Sequence, residues 1–162
     1  MSPEIRVGQG FDVHRTGDDV ERPLVLGGCT FPGLPGLVGH SDGDAVAHAV
    51  AEALLGAAGL GDIGQHFPDT DDAFHGADSI ELLRQVAAEV RDDGWAIGNA
   101  DCSIVCEHPR LAPMRDEMES RLTTAVGAPV TVKGRRPEQL GALGRGEGLA
   151  VFAVAVIVRG AA

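Results

Sequence analysis

Asp12 and His14 stand two residues apart in Phe11-Asp-Val-His14, and His48 closes the run His40-Ser-Asp-Gly-Asp-Ala-Val-Ala-His48. A carboxylate and two imidazoles are an O,N,N donor set. On a strand, the period of two puts Asp12 and His14 on one face. If the second run opens a helix, His48 sits about a turn and a half into it. Two elements can then present the set to one metal and leave a coordination position open. That is the pattern of a catalytic zinc site, whose fourth position belongs to water or substrate. Each residue also has a plainer reading. Asp-x-His is a common tripeptide, and His48 alone could be a half-buried helix residue. Ser41 or Asp42 is a natural N-cap for the helix. The first-turn amides and the helix dipole favour an anion there, and His40 lies just before that end. The combination points to a phosphate held beside a cation.

The 162 residues, 1–162, read as a single domain. Thirteen Lys and Arg against 24 Asp and Glu give 13 − 24 = −11. Such an acidic chain lacks the electrostatic footprint of a nucleic-acid or anionic-lipid binder. A phosphorylated substrate must be met locally, by metals, helix ends and a few cations. With no tyrosine and one tryptophan, Trp95, no aromatic stacking platform is visible. The N-terminal residues lack the basic and apolar segments of a signal peptide. The longest apolar run, Leu149 to Val158, is about half the length of a membrane-spanning helix and reads as a buried strand. Cys29, Cys102 and Cys106 form no CxxC pair and read as reduced core thiols of a cytoplasmic protein.

Ile5 to Val13 has the pattern of a strand containing Gly8-Gln-Gly10. Pro23 to Pro32 reads as a hairpin turning at Gly27-Gly28, and Gly33 to Gly39 as a loop. Asp42 to Gly59 is a helix by its apolar spacing, with Gly59 as its stop. Residues 61–77 hold no period; a loop this long in a compact chain is usually functional or disordered, and its Ile63, Phe67 and Phe74 argue against disorder. Its Asp62, Asp69 and Asp71 read either as a solvated acidic face or as acceptors for the hydroxyls of a polyol. Asp78-Ser-Ile-Glu81 opens a second helix by a capping box. Ala100 to Glu107 is a strand, Leu111 to Val126 a third helix, and Val130 to Lys133 and Leu149 to Val158 the last strands. This order fits an α+β two-layer sandwich, a mixed four- to five-stranded sheet with helices on one face. The other face then needs cover, and self-association is the economical solution.

Five motifs carry a family resemblance: Gly10-Phe-Asp-Val-His14, His40 to His48, Gly61-Asp-Ile-Gly-Gln-His-Phe-Pro-Asp-Thr-Asp71, Gly76-Ala-Asp-Ser79 and Gly144-Arg-Gly-Glu-Gly148. In this order and at these separations the chain resembles the 2-C-methyl-D-erythritol 2,4-cyclodiphosphate synthases over roughly residues 5–159. The resemblance implies a homotrimer around a threefold axis with active sites between subunits. It implies a reaction in the non-mevalonate isoprenoid pathway. The 2-phosphate of 4-diphosphocytidyl-2-C-methyl-D-erythritol 2-phosphate attacks the β-phosphorus, expels CMP and closes a cyclic diphosphate. Asp12, His14 and His48 would be zinc ligands beside the substrate, and His40 would contact phosphate. Ser41, Asp62, Gly64, Phe67 and Asp69 would line the methylerythritol pocket. Glu138 would hold a second divalent ion, magnesium or manganese. Cys106 through Ala112, Arg110 and Leu111 among them, with Lys133 and Gly134, would form the cytidine pocket, contributed by the neighbouring subunit. His40, Lys133 and Glu138 are the expected catalytic residues. Arg145 and Glu147 would line an axial cavity that in relatives can bind an isoprenoid diphosphate.

The chain departs from the family on the nucleotide side. Arg135, Arg136 and Pro137 stand where relatives carry small hydroxyl residues that contact phosphate, Arg110 replaces a lysine, and Ala142 a cavity-lining phenylalanine. Alternative readings are therefore a paralogue with altered nucleotide or polyol specificity, and a non-catalytic trimer that binds metal or isoprenoid diphosphate.

Overall fold

The computed structural model describes residues 2–160. Its elements in chain order are β1 (Glu4–Arg15), β2 (Pro23–Leu26), β3 (Cys29–Pro35), α1 (Ala45–Ala58), α2 (Ile63–His66), α3 (Ser79–Asp92), β4 (Ala96–Val105), α4 (Arg115–Val126), β5 (Val130–Arg135), α5 (Gly141–Gly144) and β6 (Gly148–Arg159). Short 3-10 turns at Asp72–Phe74 and Ala112–Met114 complete it. Four strands form one mixed sheet in the order β1-β6-β4-β5, with only β4 and β5 parallel. β2 and β3 pair in a separate two-stranded sheet, turning at Gly27 and Gly28. The expected α+β class and mixed sheet are observed.

The core lies between one face of the sheet and helices α1, α3 and α4. Ala49, Val50, Ala53 and Leu54 of α1 are fully buried, as are Ala155 and Ile157 of β6. α1 packs unusually close to β1. A Cβ added at Gly8 would stand 2.0 Å from the Ala53 carbonyl oxygen, and one at Gly10 1.9 Å from that of Ala49. These two glycines therefore set the distance between helix and strand.

The opposite face carries Val7, Phe11 and Val13 of β1 and Phe152 and Val154 of β6, all exposed. Phe11 and Phe152 pair across the strands with ring centroids 5.0 Å apart. The same face on β4 and β5 is polar, with Asp101, Thr131 and Lys133 joined by side-chain bonds.

Three local expectations are corrected. Helix α1 starts at Ala45, and its N-cap is Asp44 rather than Ser41 or Asp42. The positive φ of Gly43 turns the chain first, and Asp44 then buries a carboxylate that accepts from the amides of Gly27, Gly28, Val46 and Ala47. His48 is consequently the fourth helical residue, about one turn in. The third helix starts at Arg115, after a 3-10 turn over Ala112–Met114 that carries Pro113 in its first turn. The aperiodic stretch 61–77 is organised by acidic caps: Asp62 accepts from Gln65 N at 2.9 Å and Asp71 from Ala73 N at 2.9 Å.

Candidate metal centre and substrate cavities

The residues of β1 that face α1 are the even-numbered ones. Gly8 and Gly10 use that face for backbone contact, and Asp12 and His14 extend it past the contact. There α1 delivers His48. One donor atom from each of Asp12, His14 and His48 lies within 4.8 Å of the others, and all three side chains are half-buried. The Nδ1 atoms of His14 and of His48 are each 3.1 Å from Asp12 Oδ2. His14 Nδ1 is buried yet makes no hydrogen bond. An orphaned imidazole nitrogen converging with a carboxylate and a second imidazole fits a cation with N and O ligands.

The electrostatics agree. Burial raises the Asp12 carboxyl, but the two histidines beside it overcome this and hold it below the usual carboxylate range. Burial lowers His48, but Asp12 outweighs it and the imidazole is pushed up. His48 Nε2 lies 3.1 Å from Ser41 Oγ and 2.9 Å from Ser79 Oγ. Ser79 Oγ in turn bonds the Asp42 carboxylate. This chain of contacts fixes the ring so that Nδ1 is the atom offered to a metal. Ser41 and Asp42, expected as caps, thus orient the histidine and tie α1 to α3.

His48 also lines a cavity of about 110 Å³, with His40, Ser41, Ile63, Phe67, Asp69, Phe74 and Leu82. His40 Nε2 is 3.0 Å from the Asp71 carbonyl oxygen, and His75 stacks edge-on against it at 5.2 Å. Phe67 and Phe74 meet at 5.2 Å. The structure therefore gathers His40, Ser41, Phe67 and Asp69 with the metal donors, while Asp62 and Gly64 are outside the lining. The expected anion site at the helix start is not available as drawn, because the Val46 and Ala47 amides already donate to Asp44. Sequence reasoning did not single out Ile63, Phe74, Ser79 or Leu82 as site residues. The signal for the aromatics was an apolar residue inside an aperiodic loop.

A second cavity of about 270 Å³ is lined by Cys106, Pro109, Arg110, Leu111, Ala112, Arg115, Gly134, Arg135 and Arg136. Of the expected cytidine pocket it collects all but Glu107, His108 and Lys133; the first two line a different cavity, and Lys133 pairs with Asp101 on the open sheet face. Burial pushes the Cys106 thiol up to about 11, so it is an uncharged wall of this space. Glu138 is exposed on a left-handed backbone with φ of 54°. Arg145 pairs with Glu147 at 2.6 Å away from both cavities.

Residues 5–158 match the model of the YgbB family. The 2-C-methyl-D-erythritol 2,4-cyclodiphosphate synthase of Geobacillus kaustophilus is 52% identical over 155 residues, covering 94% of this chain and 97% of that one. Among solved structures, the bifunctional IspDF from Campylobacter jejuni superposes with a TM-score of 0.92 at 41% identity. That match covers 98% of this chain and 43% of the longer bifunctional one. The CDP complex of IspF from Plasmodium falciparum gives a TM-score of 0.83 at 28% identity, covering 99% and 100%. With its length matched almost throughout and its metal donors convergent, the chain belongs to the YgbB family.

Proposed function

We propose that this chain is a metal-dependent cyclodiphosphate synthase that converts 4-diphosphocytidyl-2-C-methyl-D-erythritol 2-phosphate to 2-C-methyl-D-erythritol 2,4-cyclodiphosphate. The observation that carries this reading is the convergence of Asp12, His14 and His48, the last of which also lines the His40–Phe67–Asp69 cavity, in a chain so similar to enzymes of that name. An oxygen of the 2-phosphate attacks the β-phosphorus. The bond from that phosphorus to the bridging oxygen breaks, and CMP leaves with the electron pair. Asp12, His14 and His48 would hold zinc, and Glu138 a magnesium or manganese ion. When bound, these cations neutralise the phosphates and align attacking and leaving oxygens.

The chain's own residues do the positioning. Aligned reacting groups can offset roughly 7–11 kcal/mol of barrier. Ser41 and Ser79 hold His48 in orientation. Asp69 offers acceptors to the polyol hydroxyls, and Phe67, Phe74 and Leu82 keep water from the reacting phosphates. His40 donates to a phosphate oxygen. The second cavity takes the cytidine, on the floor made by Cys106, Leu111 and Gly134. The two cavities share no residue, which supports a site completed between subunits of a homotrimer. The apolar half of the open sheet face supplies a surface for that assembly. Among the described residues no helix is long and apolar enough to cross a membrane, in keeping with a cytoplasmic enzyme.

The test is a phosphorus-31 NMR assay of the zinc- and magnesium-loaded protein with the diphosphocytidyl substrate. Stoichiometric CMP and cyclic diphosphate are expected. A loaded protein that leaves the substrate intact would sink the reading.

A further inference from the structure

Four of the chain's 13 basic residues, Arg110, Arg115, Arg135 and Arg136, line one cavity. Among the described residues none of these four forms an ion pair, although acidic residues outnumber basic ones 24 to 13. Elsewhere Arg6, Arg84, Arg121, Lys133, Arg145 and Arg159 each have a carboxylate partner. Arg115 is also the first residue of α4, where the positive end of the helix dipole disfavours a cation. The N-cap there, Met114, claims none of the first amides. The floor is apolar and close-fitting: a Cβ at Gly134 would stand 3.1 Å from Leu111 Cδ1. Like charges gathered without partners around an apolar floor fit an anion with several charges and a flat apolar ring.

We infer that Arg135 and Arg136 neutralise the diphosphate of a nucleoside diphosphate themselves, so that nucleotide binding in this chain does not depend on a second divalent ion. The inference rests on the functional reading above for the ligand's identity. Guanidinium forks reach phosphate oxygens bidentately and carry permanent charge, whereas a small hydroxyl residue needs a cation beside it. Glu138, two residues further on, is outside the cavity lining and becomes auxiliary for binding. The gain is in ground-state affinity, which need not raise turnover.

Calorimetry with CDP tests this on the zinc-loaded protein, with magnesium and in magnesium-depleted buffer without chelator. The parent Kd is expected to rise less than about threefold when magnesium is removed. The Arg135→Thr/Arg136→Thr variant is expected to lose at least about tenfold without magnesium, roughly 1.4 kcal/mol, and to regain most of it when magnesium returns. A parent that loses tenfold, or a variant no more magnesium-dependent than the parent, overturns the proposal. Inorganic pyrophosphate and the Arg136→Lys variant provide a second measurement should the double variant fail to fold. Magnesium-free binding of pyrophosphate by the parent, weakened in Arg136→Lys, supports the clamp, and equal binding overturns it. A loaded parent that binds CDP without magnesium but releases no CMP from substrate sinks the functional reading and leaves the clamp standing.

Discussion

His14 Nδ1 is buried without a hydrogen bond, and such a group costs about 1–3 kcal/mol unless something satisfies it. A bound cation would do so, and His48→Ala removes one of its three ligands. That variant is expected to lose metal, measured by atomic absorption, and to lose activity by several orders of magnitude while keeping its circular dichroism. The pH dependence has a definite sign. Without metal, His48 is raised above its unfolded value of 6.5. Its protonation therefore favours the fold below 6.5, and that contribution is lost as pH rises through the folded value. Asp12 is lowered from 3.8, so its contribution is present above 3.8 and lost as pH falls through the folded value. A metal ion needs His48 neutral. The difference in Tm between metal-loaded and metal-free protein should shrink as pH falls through the folded value of His48, which lies above 6.5, and an unchanged difference at pH 5.5 would contradict the ligand set. The convergence of the three donor side chains was legible because the strand period and the helix pattern each fix a face. Ser79 and Phe74 were not, since their place depends on α3 and the loop folding back over α1.

At the scale of elements, Asp44 is the joint between helix α1 and the β2–β3 turn. Asp44→Ala leaves the buried amides of Gly27 and Gly28 unpaired and removes a cap, a loss of about 3 kcal/mol in urea melts. Gly10→Ala is a test of the helix-strand distance. The new Cβ would force α1 away from β1 and so move His48 from Asp12. About 1–3 kcal/mol of stability and roughly a hundredfold in kcat/KM should be lost, since a misplacement near 1 Å can cost that much. A stable variant with parental kcat/KM would show that β1 and α1 do not set the geometry. The helices and strands were legible from apolar spacing, with Gly59 marking the end of α1 as expected. Their starts were less so. Three acidic or hydroxyl residues, Ser41, Asp42 and Asp44, compete for the cap of α1, and only the long-range amides of Gly27 and Gly28 decide between them.

For the whole molecule, the open sheet face divides into an apolar half on β1 and β6 and a polar half on β4 and β5. Phe152→Asp places a charge in the centre of the apolar half, opposite Phe11. If the protein is a trimer through this face, the variant should sediment as a smaller species and lose activity together with its assembly. An unchanged sedimentation coefficient would remove the face from the interface. An uncovered sheet face was legible, from too few elements to cover both faces, but the division of the face emerges only when β6 is placed between β1 and β4.

The pairing of β1 with β6 has a consequence for how such a chain can be joined to others. Glu4 lies opposite Arg159, so the chain enters and leaves the sheet at the same corner. Asp12 is eight residues further along β1, roughly 27 Å away at strand rise. A second enzyme tethered at that corner tugs on the end of the sheet farthest from the metal donors. Covalent partnership is thus mechanically insulated from the chemistry, and the same fold can serve as a free-standing subunit or as one segment of a longer polypeptide, as in the bifunctional protein from Campylobacter jejuni.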